Sequence, residues 1–439
     1  MKKLFLFFAL AGITAANSVN AQDTIRFTWE VTSSVARSFM IDASYGKTFV
    51  VNWGDGIIET KTGIGSSMQS ITHAYTIGTY DVIIAGATSD CLFTALNVDG
   101  RRLTVLDVQA STALEKMSCC QNQLNALDLS KNTALTELWC YDNHLTTLDV
   151  SANTVLTKLI CYDNQLTTLN VAHNPLLTNL SCSSNQLTTL DVSHNPLLID
   201  LSCGSNSLTT LDLNHSLLLE DLSCSSNQLT TLNLSANTAL RTLKCQDNHL
   251  QLSDLFAASK KIPIYKYLGT QTLLPITVTI GNELFVEQSV FDGIYTNYSV
   301  TQNGTSAPQS DYAVTNGKIK FNKLGNYTVT MTNSAINSVS THPAKVIVDI
   351  EVVNNTGIVE TDNYPSLRVY PNPTSGQLII EMSDIEHRVS EIQIFDVVGR
   401  KIQSKIVNLK SKITIDISHL PNGMYYLKID NHVVKFVKE

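Results

Sequence analysis

A 21-residue repeat governs what this chain of 439 residues can fold into, because repetition of one unit decides architecture before local preferences do. Seven of the nine cysteines recur every 21 residues, and an asparagine follows each of them three positions later. The cysteine column is Cys119, Cys140, Cys161, Cys182, Cys203, Cys224 and Cys245. The asparagine column is Asn122, Asn143, Asn164, Asn185, Asn206, Asn227 and Asn248. Leucines occupy three further columns, so each unit has the pattern Leu-x-x-Leu-x-Cys-x-x-Asn-x-Leu. In the first unit, Met117 replaces the second leucine of this pattern.

This pattern resembles the leucine-rich repeat, with cysteine in place of the usual central leucine. The alternation of side chains along a strand places Leu138 and Cys140 inward, and Trp139 and Tyr141 outward. A single coil buries too little apolar surface to be stable, whereas stacked coils share one core and pair parallel strands about 4.8 Å apart. The second half of each coil repeats the spacing in weaker form, so we expect extended backbone there instead of helices. The resemblance implies a mainly β chain built around a solenoid of about eight coils.

Both ends of the repeat region lose part of the pattern, as terminal coils do when they cap a solenoid. Leu96 and Leu103 fit the leucine columns without an accompanying cysteine or asparagine, which predicts an N-terminal capping coil. After Asn248 the pattern gives way to a short predicted helix with Ser253 as its N-cap. We therefore expect the solenoid to span residues 91–260.

The N-terminal segment 1–21 has the composition of a secretory signal peptide. Lys2 and Lys3 precede an apolar run, and Val19 and Ala21 form a small-x-small cleavage site. A membrane anchor is the alternative, but the apolar run is shorter than the roughly 20 residues that a spanning helix needs. No later segment is long and apolar enough, so we expect an exported protein without a transmembrane segment.

Seven regularly spaced cysteines in an exported protein raise the question of disulfide bonds. Neighbouring cysteines in register would have Cβ atoms about one strand spacing apart, slightly farther than the roughly 3.5 to 4.5 Å that a disulfide requires. Seven cysteines also cannot all pair with one another. We therefore expect a buried ladder of free thiols that pack as small hydrophobes, with partial bridging and metal binding as alternatives. Cys120 stands on the outward side of its strand and is predicted to face solvent.

The asparagine column and a further acidic column both have a structural explanation. A buried amide at the end of each strand satisfies backbone groups of its own turn and of the neighbouring coil. The acidic or amide column is Asp128, Asp149, Asn170, Asp191, Asp212 and Asn233. A weak calcium site is the alternative for this column, but no glycine-rich calcium loop accompanies it. The sequence thus predicts no metal site and no cofactor.

Outward strand positions carry function in a solenoid, because they vary from coil to coil without disturbing the core. Two adjacent coils present an aromatic cluster with acidic neighbours, consisting of Trp139, Tyr141, Ile160, Tyr162, Asp142 and Asp163. Exposed aromatic rings suit stacking on a sugar ring or anchoring a protein partner. The alternative is that these rings pack under the N-terminal domain or have no role. We predict a candidate ligand site at this cluster.

Residues 22–90 contain alternating apolar strands around a Trp-Gly-Asp-Gly turn that begins at Trp53. His73, Tyr75 and a Gly-x-Tyr-x-Val strand follow. This combination resembles the PKD-type β-sandwich, and the resemblance implies that these residues are framework. His73 with Asp55 suggests an acid–base pair, but no nucleophile accompanies them.

Residues 261–353 have the pattern of another all-β module. Asn-Gly turns at Asn303 and Asn316 separate strand candidates, the longest of which ends near Val353. We expect a seven-strand, immunoglobulin-like sandwich. A polar linker follows over residues 354–364.

The C-terminal residues 365–439 carry the most specific set of motifs in the chain. The set comprises Pro371, Asn372, Pro373, Gly376, Asp396, Gly399, Leu420, Pro421, Gly423 and Tyr425. These residues resemble the type A C-terminal sorting domain of the type IX secretion system of Bacteroidota. The resemblance implies handling by the secretion translocon and removal by its sorting peptidase near the linker. It also implies a protein that is secreted or anchored to the outer-membrane surface.

Charge and motifs narrow the function further. The chain has 30 basic and 38 acidic residues and a net charge of −8, without a basic stretch, so we do not expect a nucleic-acid partner. No hydrolase elbow, zinc-protease or nucleotide-binding motif is present, so we do not expect an enzyme. The sequence therefore predicts an adhesin-like surface protein that recognises a protein or glycan. The alternatives are a structural spacer without a ligand and, after that, a secreted hydrolase.

Overall fold

The structure is a computed structural model, and it describes residues 23–354, apart from 287–288 and 340–342, together with parts of the C-terminal region. In that region it describes residues 367–370, 374, 376–382, 389–396, 401–408, 412–429 and 432–438. The chain forms two compact units, residues 1–353 and 354–439. Strands dominate the regular structure, and the prediction of a mainly β fold is confirmed. The predicted signal peptide and nearly all of the predicted linker lie outside the described residues.

The first unit begins with a sandwich of two sheets. Its strands are Thr24–Val31 (β1), Val35–Ala43 (β2), Thr48–Asn52 (β3), Ile58–Thr62 (β4), Gln69–Tyr75 (β5), Gly78–Gly86 (β6), Phe93–Asn97 (β7) and Leu103–Asp107 (β8). One sheet has the order β4-β3-β6-β1-β8, and the other begins β5-β2-β7. Ring contacts join the two sheets, with Trp29 lying 5.7 Å from Tyr75 and Phe39 lying 5.7 Å from Trp53 between ring centres. All four rings are buried, so they form the core of this sandwich.

The repeat region contains seven strands of three residues each, spaced by 21 residues. They are Lys116–Ser118 (β9), Glu137–Trp139 (β10), Lys158–Ile160 (β11), Asn179–Ser181 (β12), Asp200–Ser202 (β13), Asp221–Ser223 (β14) and Thr242–Lys244 (β15). Each strand pairs in parallel and in register with the next, so that Leu138 lies beside Leu159. Between these strands the backbone has turns and no helix, as the sequence predicts. The predicted solenoid of 21-residue coils is confirmed.

One continuous sheet joins the solenoid to the N-terminal sandwich. β7 pairs antiparallel with β2 and in parallel with β9, so the sheet runs β5-β2-β7-β9 and onward through β15. β8 pairs antiparallel with β1 in the other sheet. Leu96 and Leu103, which fit the predicted capping coil, are therefore buried in a core that both modules share. The division between residues 90 and 91 remains a prediction, and both the sheet and the core continue across it.

A helix, Leu252–Lys261 (α1), follows the last coil of the leucine columns. Its N-cap is Gln251, whose backbone N–H donates to the side chain of Asp254 at 3.2 Å. The prediction of Ser253 as the N-cap is wrong, because Ser253 lies inside the first turn of the helix. One further strand, Tyr265–Tyr267 (β16), pairs in parallel with β15 and completes a sheet of 11 strands.

The remainder of the first unit is a second set of sheets. Its strands are Thr270–Thr272 (β17), Ile276–Thr279 (β18), Glu283–Phe285 (β19), Val290–Phe291 (β20), Ile294–Tyr295 (β21), Asn297–Gln302 (β22), Thr305–Ser306 (β23), Tyr312–Thr315 (β24), Lys318–Phe321 (β25), Gly325–Thr332 (β26) and Lys345–Val353 (β27), with a 3₁₀ turn at Gln309–Asp311. One sheet has the order β17-β27-β26-β22-β23, with β18 also paired to β27, and another has the order β19-β25-β24. Phe321, Tyr327 and Val348 are buried in its core. The described part of this module has eleven strands instead of the predicted seven, and the immunoglobulin-like classification stays a prediction.

The second unit is also built from strands. They are Leu367–Tyr370 (β28), Gln377–Met382 (β29), Val389–Asp396 (β30), Lys401–Asn408 (β31), Lys412–Asp416 (β32), Gly423–Ile429 (β33) and His432–Lys438 (β34). They form two antiparallel sheets, β28-β29-β32 and β31-β30-β33-β34. Leu378, Leu427 and Phe436 belong to the core of this unit.

Candidate recognition surface

Asparagine side chains bind successive coils of the solenoid to one another. The Asn143 amide nitrogen donates to the Cys119 carbonyl of the preceding coil at 3.0 Å and to the Cys140 carbonyl of its own coil at 3.2 Å. The Asn143 amide oxygen accepts the backbone N–H of Leu124, again in the preceding coil, at 3.1 Å. The same three bonds recur at the next asparagine of the column. The outward strand face is therefore a rigid platform, because buried amides fix the spacing of its coils.

A second amide column, absent from the sequence-based predictions, lies in the other half of each coil. Its members, all fully buried, are Asn132, Asn153, Asn174, Asn195 and Asn237. The Asn153 amide nitrogen donates to the Leu129 carbonyl at 3.2 Å and to the Asn132 carbonyl at 2.8 Å. Its 21-residue spacing is the signal by which the sequence could have revealed this column.

The seven cysteines of the ladder are free and buried, each with an exposure of 0%. Burial raises the pKa of the Cys161 thiol to about 12, because a thiolate would lose its hydration in the core. The prediction that Cys120 faces solvent is wrong, since its exposure is 1%. Its Sγ lies 3.5 Å from the Ser118 hydroxyl, and its backbone N–H donates to the Asp99 carboxylate at 2.6 Å. The turn after β7, which carries Asp99, packs against the strand here and shields this thiol.

The burial of every cysteine predicts a chain without reactive thiols in its folded state. The exported chain, kept at about pH 8, should react with a thiol reagent such as dithionitrobenzoate only after unfolding in concentrated guanidinium chloride. All nine cysteines should then become available. A thiol that reacts rapidly in the folded chain would contradict the buried ladder, and peptide mapping of the labelled site would identify the residue responsible.

The acidic column forms turns. The Asp149 carboxylate accepts a hydrogen bond from the backbone N–H of Ser151 at 2.9 Å. This bond is the main reason why the pKa of Asp149 is lowered. The equivalent bond recurs at Asp128, Asn170, Asp191, Asp212 and Asn233. An amide oxygen accepts such a bond as well as a carboxylate does, which explains why both Asp and Asn occur in this column. Among the described residues, no group of three or more side chains of metal-binding type comes together.

The predicted aromatic cluster lies on the outward face of two adjacent coils. Trp139 and Ile160 pair side by side across β10 and β11. Two residues further along each coil, the rings of Tyr141 and Tyr162 stack with their centres 4.4 Å apart and their planes 7° apart. All four side chains are partly exposed, and the two tyrosines stack on each other. We call these four residues the aromatic row.

Charged groups border the aromatic row at its tryptophan end. Glu137 forms ion pairs with Lys116 at 2.7 Å and with Lys158 at 3.8 Å. The Lys158 ammonium also lies 5.5 Å from the centre of the Trp139 ring. At this distance the cation is attracted to the ring face, so this face of Trp139 is already occupied.

Two aspartates border the aromatic row at its tyrosine end. Asp142 and Asp163 are exposed and have left-handed backbones, with φ of 54° and 50°. Aspartate tolerates this conformation better than most residues do. The pKa of the Tyr162 hydroxyl is raised, mainly by burial and to a smaller extent by nearby charges that include these two aspartates. Burial also raises the pKa of the Tyr141 hydroxyl, to about 12. Both phenols are therefore neutral at physiological pH, beside two exposed carboxylates.

The His73 and Asp55 pair lies in the N-terminal sandwich, where the imidazole Nε2 is 2.7 Å from the carboxylate. The His73 ring stacks on Trp53 with ring centres 4.7 Å apart. The Tyr75 hydroxyl donates to the Trp53 carbonyl at 2.9 Å. Through these contacts the buried rings of Trp53, His73 and Tyr75 tie the Gly-Asp-Gly turn to the sandwich core, which is a framework role.

The structure places part of the predicted sorting motif. Pro371, Asn372, Pro373 and Gly399 lie outside the described residues. Gly376 precedes β29, Asp396 ends β30, Gly423 begins β33, and Leu420 and Tyr425 are buried in the core of the second unit. The Tyr425 hydroxyl donates to the Pro421 carbonyl at 2.8 Å, which closes the turn before β33. In the described part of the chain, no helix has the length and apolar character needed to cross a membrane.

A family model described as the secretion system C-terminal sorting domain matches residues 368–439. The prediction of a C-terminal sorting domain is thus confirmed, and the chain is exported, either secreted or attached to the cell surface. None of the curated proteins matches the chain. The PKD-type resemblance of residues 22–90 and an origin in Bacteroidota stay predictions.

Several solved structures are similar to parts of this chain, among them two described as leucine-rich repeat domains. Another is the functional domain of InlJ from Listeria monocytogenes, which is described as including a cysteine ladder. It is 25% identical to this chain, the matched region covers 59% of this chain and 67% of the InlJ chain, and the TM-score is 0.37. YopM from Yersinia enterocolitica is 26% identical, and the matched region covers 36% of this chain and 34% of the YopM chain, with a TM-score of 0.30. The internalin-like protein lmo2027 of Listeria monocytogenes is 15% identical, with coverages of 58% and 69% and a TM-score of 0.30.

Proposed function

We propose that the chain is an adhesin-like surface protein that recognises a protein or glycan through the aromatic row. The observation that carries the proposal is the row itself, four large apolar side chains partly exposed on the strand face. The later coils carry mostly serine at the same positions, so the repeat does not require rings there. Covering one such side chain contributes roughly 1.5 to 3 kcal/mol, and a partner that covers several gains useful affinity.

The proposed arrangement of modules supports this function. It consists of a PKD-like sandwich at 22–90, the solenoid at 91–260, an immunoglobulin-like sandwich at 261–353, a linker at 354–364 and the sorting domain at 365–439. In this scheme the secretion translocon exports the chain, and the sorting peptidase cuts near the linker. The solenoid then stands outside the cell, where its strand face meets extracellular ligands.

We assign the chain to recognition and not to catalysis. The His73 and Asp55 pair belongs to the sandwich framework, and the neighbouring Tyr75 hydroxyl is engaged by a backbone carbonyl. A catalytic pair of this kind acts on a neighbouring nucleophile, whereas His73 and Asp55 tie a turn to the sandwich core. A secreted hydrolase and a structural spacer without a ligand are the competing functions.

Replacing Trp139, Tyr141 and Tyr162 together by serine should lower affinity for the ligand at least about 100-fold, because aromatic anchors dominate binding energy at such faces. The exported chain is first applied to an array of extracellular matrix proteins and polysaccharides, and the affinity of the strongest binder is then measured for both forms. Ser202→Ala with Ser223→Ala, on the same face of later coils, is the matched control and should bind like the original chain.

Three outcomes would contradict this proposal. Equal binding by the triple-serine form would show that the ligand binds outside the aromatic row, and an array without any binder would favour the spacer. Steady release of product from a protein or polysaccharide on the array would favour the hydrolase instead. Circular dichroism of the triple-serine form checks that a loss of binding does not come from unfolding.

A further inference from the structure

Tyr141 stacks on one ring face of Tyr162, and no ring of the described residues stacks on its other face, which we call the open face. The column continues with Ser183 and then Gly204, neither of which carries a ring. Gly204 is buried, and a Cβ built on it would lie 3.0 Å from the carbonyl oxygen of Ser225, so backbone fills the floor there. Neighbouring coils are about 4.8 Å apart. The space above Ser183, next to the Tyr162 ring, is therefore thick enough for one planar group. We call this space the Tyr162 slot.

The surroundings of the Tyr162 slot are acidic. Asp163 follows Tyr162 directly, and Asp142 occupies the equivalent position on the preceding coil; both are exposed, and neither has an ion pair within the described residues. A slot in this setting attracts a cation and repels an anionic group.

The basic side chains near the aromatic row do not neutralise this acidic region. Lys116 and Lys158 both form ion pairs with Glu137 at the tryptophan end of the row. Lys158 also lies over the Trp139 ring, so the row already places one cation on an aromatic face. The open face of Tyr162 offers a ligand the same kind of contact.

We propose that the Tyr162 slot takes an arginine side chain of a partner polypeptide, an inference that rests on the aromatic row being the binding face. A guanidinium group is planar, stacks on aromatic rings and presents a fork of N–H donors that fits a carboxylate. Tyr162 supplies the ring face, and Asp163 supplies the acceptor. A neutral sugar gains little from the acidic surroundings, and an acidic glycan is repelled by them.

The test is an NMR titration of the exported chain with ¹³C-labelled tyrosine rings. The probes are the tripeptide Gly-Arg-Gly, its citrulline analogue, which keeps the shape of arginine without the charge, and methyl β-glucopyranoside. We expect the arginine peptide to shift the Tyr162 ring signal saturably and the citrulline peptide to bind at least about tenfold more weakly. We expect the glucoside to leave the signal unchanged.

Variants locate the effect in the Tyr162 slot. Ser183→Phe adds a third ring to the column and should abolish the response, whereas Ser183→Ala should keep it. Asp163→Asn should weaken binding about threefold. Tyr162→Phe keeps the ring face, so this chain should bind Gly-Arg-Gly with an affinity within about twofold of the original. Binding to this variant is followed by the Tyr141 ring signal.

The assignment to arginine is overturned by any of three results. These are the absence of a response up to the solubility limit of Gly-Arg-Gly, equal responses to the citrulline peptide or the glucoside, and a full response from the Ser183→Phe chain. The array experiment separates this failure from failure of the proposed function. If the triple-serine form loses its array ligand while Ser183→Phe retains it, the aromatic row is a binding face and the arginine assignment is wrong.

Discussion

Replacing Asn143 by alanine should lower the free energy of unfolding by about 3 to 5 kcal/mol. The amide nitrogen donates to the carbonyls of Cys119, Cys140 and Tyr141, and the amide oxygen accepts the N–H of Leu124. Alanine removes these partners but leaves the backbone groups inside the solenoid. Each buried polar group left without a partner costs about 1 to 3 kcal/mol. Denaturant unfolding followed by circular dichroism measures the change.

His144→Ala is the matched control for this substitution. His144 adjoins Asn143 in the chain and is exposed, so its replacement should change the free energy of unfolding by less than about 0.5 kcal/mol. A loss of under about 1 kcal/mol in the Asn143→Ala chain would show that water takes over the role of the amide. In that case the column would not be what binds the coils together.

The sequence predicts the columns of the solenoid well, because a repeat tests each prediction several times. Cys140 and Cys161 stand at the same distance from the leucines and the asparagine of their coils, and in-register stacking places both in the same kind of surroundings. One inward assignment therefore holds for the whole column. The asparagine column follows by the same reasoning, since Asn143 and its equivalents meet the same carbonyls in each coil.

Predictions fail where a neighbour comes from outside the repeat. Cys120 has the outward position that Tyr141 and Tyr162 share on later coils, but the turn that carries Asp99 covers it. That turn belongs to a strand paired with the N-terminal sandwich, and no spacing in the sequence reveals this pairing. The prediction of Ser253 as the N-cap fails for a related reason, because a local sequence signal does not fix the residue at which a helix begins.

The candidate site shows the same limit at finer scale. The register predicts that Tyr141 and Tyr162 are neighbours, but ring orientation depends on side-chain packing. The structure shows that the two rings cover each other and that Lys158 covers a face of Trp139. Which faces remain open therefore follows from the coordinates and not from the spacing.

Removing a whole coil should do little harm. Deletion of residues 175–195 joins Asn174 to Pro196 and restores the Asn-Pro step found at the start of each of these two coils. β11 then meets β13 in register, because every coil contacts its neighbours through the same columns. We expect an exported chain with a cooperative unfolding transition and a modestly lower midpoint, measured by circular dichroism.

Removing half a coil should do far more harm, although fewer residues are lost. Deletion of residues 175–185 keeps β13 and the following coils but shifts them by about half a coil relative to the preceding coils. Their leucines and cysteines then no longer continue the columns that end at Cys161. The solenoid should then lose its strand signal in circular dichroism, become sensitive to trypsin and expose the Cys203 thiol to reagent. Every residue that the half-coil deletion removes is also absent from the whole-coil deletion, so the comparison separates the effect of register from the loss of those residues. A half-coil deletion as resistant to trypsin as the whole-coil deletion would show that alignment of the columns does not hold the solenoid together.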